Sequence, residues 1–191
     1  MSAMEPQDLS LHRDKALLLI IDMQERLAAA MPDEMMARAR RYTGVLIEAA
    51  RQLGLPIVLT EQYPRGLGPT LPEVRAALPP EIRPVEKVHF SCAAVPEVMR
   101  AIRDAGRRQI LVCGMEAHVC VFQTVRDLQR AQLQTFVVQD AVASRAADNV
   151  SVGLRLMERA GAVVTSTETA LFDLLGCAGT PEFKALAPLI R

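Results

Sequence analysis

Residues 17–21 are five aliphatic side chains in a row, followed at once by a carboxylate, Asp22. A strand with one wet face alternates polar and apolar residues, so a run without alternation must be covered on both faces. Similar runs recur along the chain: PIVLTE (56–61), QILVCG (109–114), QTFVVQDAV (134–142) and AVVTS (162–166). IRPVEK (82–87) is a weaker strand, and its Pro84 suits the edge of a sheet.

Helix-like segments separate these runs. DEMMARARRYTGVLIEAARQLG (33–54) carries apolar residues at Met35, Met36, Val45, Leu46, Ala49 and Leu53, with Asp33 as the expected N-cap and Gly54 as the stop. Segments 96–106, 118–131, 147–161 and 167–176 read the same way, and 72–78 holds one or two turns. QYPRGLGPTLP (62–72) is a loop, and residues 177–191 form a tail with a short apolar end. Six strands alternating with helices predict one α/β domain, a three-layer α/β/α sandwich around a parallel sheet, with its core over about 16–176 of the 191 residues. In such sheets ligands bind beyond the C-terminal strand ends, so chemistry is expected just after Ile21, Glu61, Glu86 and Gly114.

Several function classes are disfavoured. Lys plus Arg equals Asp plus Glu at 22 each, no basic stripe is visible, and aromatic content is 4% without Trp, so no nucleic-acid partner is expected. No apolar run reaches the ~18 residues of a membrane span, and residues 1–14 carry charges of both signs without a signal-peptide core. Cys92, Cys113, Cys120 and Cys177 show no paired spacing, which predicts free thiols and a cytoplasmic location. His12, His89 and His118 are far apart, so no zinc motif forms. Gly66 and Gly68 lack the rest of a dinucleotide fingerprint, because position 71 is Leu71. Half the residues are hydrophobic, which leaves apolar surface beyond one small core and predicts a homo-oligomer.

Three residues carry the candidate chemistry. Asp22 ends a buried strand, where poor solvation raises a carboxylate pKa unless a cation compensates. Cys120 lies between a buried strand and a helix, where the helix N-terminus favours a thiolate and its N–H groups can hold an oxyanion. Lys87 ends VEK; in the same cleft its charge would lower the thiol pKa and keep Asp22 ionised. His118 is too close in sequence to Cys120 to face it as a base, and reads as a pocket residue. For a lone Cys or Lys taken singly, the commoner roles are a small buried hydrophobe and a solvated surface charge.

LLLIIDMQERL (17–27), VEKVHFSC (85–92), ILVCGMEAHVCVFQTVRDL (110–128) and the stretch 139–176 resemble the isochorismatase-like cysteine hydrolases. TEQYPRGLGPT (60–70) with GMEAHVCV (114–121) is most similar to the isochorismatase domain-containing protein subgroup. The resemblance implies a sheet of order 3-2-1-4-5-6 and an Asp–Lys–Cys triad of Asp22, Lys87 and Cys120. It also implies a cis peptide between Met115 and Glu116 that aims the Glu116 and Cys120 N–H groups at an oxyanion. Substrate-contacting positions would be Met23, Gln62, Tyr63, Phe90 and His118. Metal-dependent relatives carry Asp and His ligands after the second strand; EQYPRGLGP here has neither, so no metal and no cofactor are expected. The implied activity is covalent hydrolysis of a small amide-like or related carbonyl substrate. A scaffold protein that keeps a reactive thiol is the alternative, and a redox-sensing Cys120 is a third reading for which Cys113 is poorly placed as a resolving thiol.

Overall fold

The computed structural model describes residues 8–190. In chain order the elements are β1 (Ala16–Ile21), α1 (Glu25–Ala28), α2 (Asp33–Leu53), β2 (Ile57–Gln62), α3 (Pro64–Leu67), α4 (Pro72–Ala77) and β3 (Val85–Lys87). There follow α5 (Pro96–Asp104), β4 (Gln109–Met115), a π-helical turn (Ala117–Val121) running into α6 (Phe122–Arg130), β5 (Gln134–Ala143), α7 (Ala147–Arg159), β6 (Val163–Thr165), α8 (Thr167–Leu175) and α9 (Pro181–Leu186).

All strand pairs are parallel, in the order β3-β2-β1-β4-β5-β6. The chain order reverses between β1 and β4, so the crevice above their C-terminal ends is the topological switch point. β1 lies at the centre, and all six of its residues are fully buried. Its side chains alternate between layers as a strand requires. Leu18 and Ile20 pack into the cluster under α2 and α8, whereas Leu17, Leu19 and Ile21 join the cluster under α5, α6 and α7. Each such side chain contributes about 1.5–3 kcal/mol on burial, which is why this run sets the fold.

Several local expectations are corrected. Pro32, not Asp33, occupies the N-cap of α2, and Asp33 is its first helical residue. The expected strand 82–87 shrinks to the edge strand Val85–Lys87, with Pro84 outside it. The loop 62–72 contains α3, and the tail folds into α9, whose Leu186 is fully buried. The helix expected from residue 118 starts as a π-turn, a local widening common at functional sites.

Candidate active site

The C-terminal ends of β1, β2, β3 and β4 bring Asp22, Lys87 and Cys120 together. Asp22 follows β1 with a left-handed backbone (φ 52°), which turns the chain out of the sheet. Gly114 of β4, at φ 123°, lies so close to β1 that a Cβ there would collide with the Ile21 carbonyl. Beyond it comes the cis Met115–Glu116 peptide, then the π-turn that carries Cys120. Gly153 of α7 packs against the backbone of that turn; a Cβ would sit 2.8 Å from the Ala117 carbonyl and 3.0 Å from the His118 nitrogen.

Lys87 Nζ donates to Asp22 Oδ2 at 2.6 Å, and neither side chain has solvent exposure. Two further acceptors are Gln62 Oε1 at 2.8 Å and His89 O at 3.2 Å, with Phe90 O at 3.4 Å. The three ammonium hydrogens are therefore committed, and Lys87 acts on Cys120 through its field rather than by donating a proton. Thr60 donates to Asp22 Oδ1 at 2.7 Å, and its oxygen lies 3.7 Å from Cys92 Sγ.

The protonation states follow from burial and charge together. Burial pushes the Asp22 carboxyl up, and Lys87, Thr60 and Cys120 pull it back only in part. Burial also disfavours the Lys87 ammonium, but Asp22, Cys92 and Cys120 outweigh it and hold the group above its ordinary value. Cys120 is pushed up to about 12, by burial first and then by the Asp22 charge, against the opposing pull of Lys87. Burial and the Asp22 charge thus outweigh the helix N-terminus and favour the protonated thiol at Cys120. The helix N-terminus is worth at most about 1–2 kcal/mol, too little to overcome that burial.

The other expected residues take varied places. Gln62 turns inward: its Nε2 donates to Val88 O at 2.9 Å while its Oε1 holds Lys87, so both amide ends are engaged within the protein. Met23 is fully buried in the cluster under α2 and presents no surface to solvent. Tyr63 (55% exposed) and Phe90 (52% exposed) stand at the rim. Tyr63 has a left-handed backbone and lines, with Pro64, Arg65, Glu86, Lys87 and Val88, a hollow of about 400 Å³. His118 is half-buried, with Nδ1 3.1 Å from Ser144 Oγ. The Glu116 side chain points away to Arg145, whose Nε donates to it at 3.0 Å.

Cys92 has no distinctive setting in the sequence, yet it is fully buried beside Thr60 and within the fields of Asp22 and Lys87, its thiol pushed up to about 11 chiefly by burial. Thr60 was equally unmarked. A signal did exist for Lys87: the chain has only three lysines, at 15, 87 and 184, among its 22 basic residues. Where arginine is the default cation, a lysine at a strand end selects a compact ammonium.

Glu61 faces the opposite side of β2, accepting from the Thr70 N–H at 2.7 Å and its hydroxyl at 2.6 Å. Among the described residues no three His, Cys, Asp or Glu side chains are grouped to hold a metal ion. No described helix is long and apolar enough to cross a membrane.

Known proteins share this layout. The chain is 40% identical over 153 residues to the secreted isochorismatase effector Isc1 of Phytophthora sojae, covering 78% of this chain and 72% of that protein. It is 36% identical over 180 residues to human isochorismatase domain-containing protein 2, covering 92% and 83%. Among solved structures, the MAR1 ribonuclease of Caenorhabditis elegans superposes with a TM-score of 0.88 at 33% identity, over 95% of this chain and 92% of that one. The isochorismatase domain model matches residues 16–169, the span that runs from β1 through the π-turn to α8. With that match, these relatives and the 3-2-1-4-5-6 sheet in agreement, the chain belongs to the isochorismatase family of hydrolases.

Proposed function

We propose that the protein is a metal-independent cysteine hydrolase that cleaves a small amide-like or related carbonyl substrate through a thioester on Cys120. The observation that carries this reading is the fully buried Lys87–Asp22 pair, 2.6 Å long, whose two charges both act on the Cys120 thiol. A carboxylate whose pKa is raised is a stronger base than an exposed one, and once protonated it is an acid able to serve a leaving nitrogen.

The steps follow from that geometry. Asp22 takes the Cys120 proton as Sγ bonds to the carbonyl carbon, and the carbonyl electron pair moves onto oxygen. The Glu116 and Cys120 backbone N–H groups receive that oxyanion. Protonated Asp22 then passes its proton to the leaving nitrogen as the C–N bond breaks, leaving an acyl thioester. Water attacks the thioester with Asp22 as base, and the Cys120 thiol leaves with the proton returned. Lys87 stays an ammonium throughout and offsets the negative charge that moves between Asp22, sulfur and oxygen.

Substrate size is limited by access. Cys120 is only 6% exposed and the Asp22 side chain is closed to solvent, so the reacting carbonyl must belong to a slender group. The same closure weighs against carrying over the ribonuclease name of the C. elegans relative. A polymeric phosphodiester needs an open groove and phosphate-binding cations, and this chain has zero net charge with its active-site ammonium fully committed.

The test is a panel of small amides, ureides and thioesters followed by intact-mass spectrometry. An acyl adduct should appear on Cys120 and decay with turnover, and Cys120→Ala should lose both adduct and hydrolysis. A folded protein that forms no adduct with any member and keeps its thiol inert would support the scaffold reading instead. RNA should remain uncleaved, with no difference between the native chain and Cys120→Ala.

A further inference from the structure

The register of β2 places two side chains where the charged members of the triad need them. Thr60 pairs with Ile21, the residue before Asp22, and Gln62 pairs directly with Lys87. Residues two apart on a strand share a face, so Thr60 and Gln62 point together into the site while Glu61 points away to Thr70. We propose that Thr60 and Gln62 are positioning residues, Thr60 fixing the proton occupancy of Asp22 and Gln62 fixing the charge and place of the Lys87 ammonium. This rests on the reading of Cys120 as nucleophile and Asp22 as its base.

Thr60 has one hydroxyl hydrogen, and it goes to Asp22 Oδ1 at 2.7 Å. The remaining lone pairs of its oxygen face Cys92 Sγ at 3.7 Å, so the neighbouring thiol is the donor and the direction of the chain is set. The Cys92 backbone N–H is itself tied to Thr124 Oγ1 at 2.9 Å, which holds that thiol against Thr60. Asp22 thus meets Lys87 on Oδ2 and Thr60 on Oδ1, and its charge acts on Cys120. Removing the Thr60 donor strips one hydrogen bond from the ionised carboxylate, so Asp22 would hold its proton to higher pH.

Gln62 does the complementary task. Its orientation is fixed, because flipping the amide would set its NH₂ against the ammonium and its oxygen against the Val88 carbonyl. The strand end is clamped in turn by Gln24, whose Oε1 accepts from Gln62 N at 2.7 Å and whose Nε2 donates to Gln62 O at 3.0 Å. A neutral acceptor holds the ammonium without cancelling it, so Asp22 and Lys87 together stay neutral. A carboxylate at position 62 would leave the group with excess negative charge and oppose thiolate formation. The charged or titratable groups acting on Lys87 are Asp22, Cys92 and Cys120.

Two measurements on the full chain test this separately for each residue. The first is the pH profile of Cys120 alkylation by iodoacetamide, read by peptide mass mapping, with exposed Cys177 as internal reference. Its acid-side midpoint should rise by about half to one pH unit in Thr60→Val and Thr60→Ala, and return in Thr60→Ser. The second is hydrogen exchange of the Lys87 ammonium in protein carrying ¹⁵N-lysine, with only Lys15 and Lys184 as other signals. Exchange should quicken by about tenfold or more in Gln62→Met and stay slow in Gln62→Glu, which keeps an acceptor. An unchanged midpoint in both folded Thr60 variants, or unchanged exchange in Gln62→Met, would overturn the respective assignment. If native Cys120 shows no acid midpoint at all and follows Cys177, it is the nucleophile reading that fails.

Discussion

Replacing Lys87 by Met isolates the electrostatics of the buried pair. Met keeps the length and apolar stem of the side chain, so no cavity opens, and what is lost is the ammonium with its bonds to Asp22, Gln62 and the His89 carbonyl. Asp22 is then an uncompensated carboxylate in a site with no solvent exposure. Breaking a buried pair from one side costs about 3–5 kcal/mol. At roughly 2–4 °C per kcal/mol for a chain of this size, the melting temperature should fall by roughly 6–20 °C at pH 8.

The loss must depend on pH, and its sign is fixed. Burial already raises Asp22 in the native protein, and without Lys87 it rises further, well above the ~3.9 of the unfolded chain. Between those two values the folded state binds more protons than the unfolded state. Stability of the variant therefore declines as pH rises through that window, by up to ~1.4 kcal/mol per pH unit. Urea titrations at pH 5 and pH 8 should show a smaller deficit at pH 5. Adding Asp22→Asn should remove the pH dependence and recover much of the loss. A deficit under about 1 kcal/mol at pH 8, or one equal at both pH values, would refute the buried-charge reasoning.

The native chain should behave differently at high pH: Lys87 is held above its ordinary value, so its stabilisation is complete below about 10.4 and is lost as pH climbs through the folded value. Gly153→Ala should cost about 1–3 kcal/mol and slow turnover together, because the new methyl meets backbone of the turn that carries Cys120, which cannot swing aside; thermal melts and single-turnover rates check both. Any hydrolysis found by the substrate panel should survive exhaustive chelation, with elemental analysis of the purified protein as the control. Light scattering at micromolar concentration should give a mass that is a multiple of 20.9 kDa, and a monomer mass would refute the oligomer expectation.

Legibility varied with how far each residue's setting depends on its own segment. The central strands were readable because continuous aliphatic runs admit one environment. Asp22 is marked by the end of such a run, and Cys120 by its place between β4 and α6. β3 was not, because only three of its residues pair, at the edge of the sheet. α9 was missed although Thr180 and Pro181 form an N-terminal signature, the Thr180 hydroxyl accepting from the Phe183 N–H. Gln62 was expected to meet substrate, and only the cross-strand register places it beside Lys87 instead. Cys92 reaches the site from a short 3₁₀ turn (Cys92–Ala94) between β3 and α5, for which periodicity offers no sign. The raised Cys120 thiol was not legible, because a helix terminus can be read in sequence whereas the depth of that side chain's burial cannot.

The contact at Gly114 bears on how mutational scans of this protein would be interpreted. Any side chain there would strike the main chain of β1 just before Asp22, and the backbone torsion already favours glycine. With the proposed roles of Asp22, Lys87 and Cys120, a survival screen would score position 114 as intolerant as 22, 87 or 120, although glycine has no side chain to offer the chemistry. Pairing each activity score with cellular abundance should separate the two groups: variants of the three proposed catalytic positions that preserve shape would accumulate as inert protein, while those at 114 would be cleared before any chemistry could be measured.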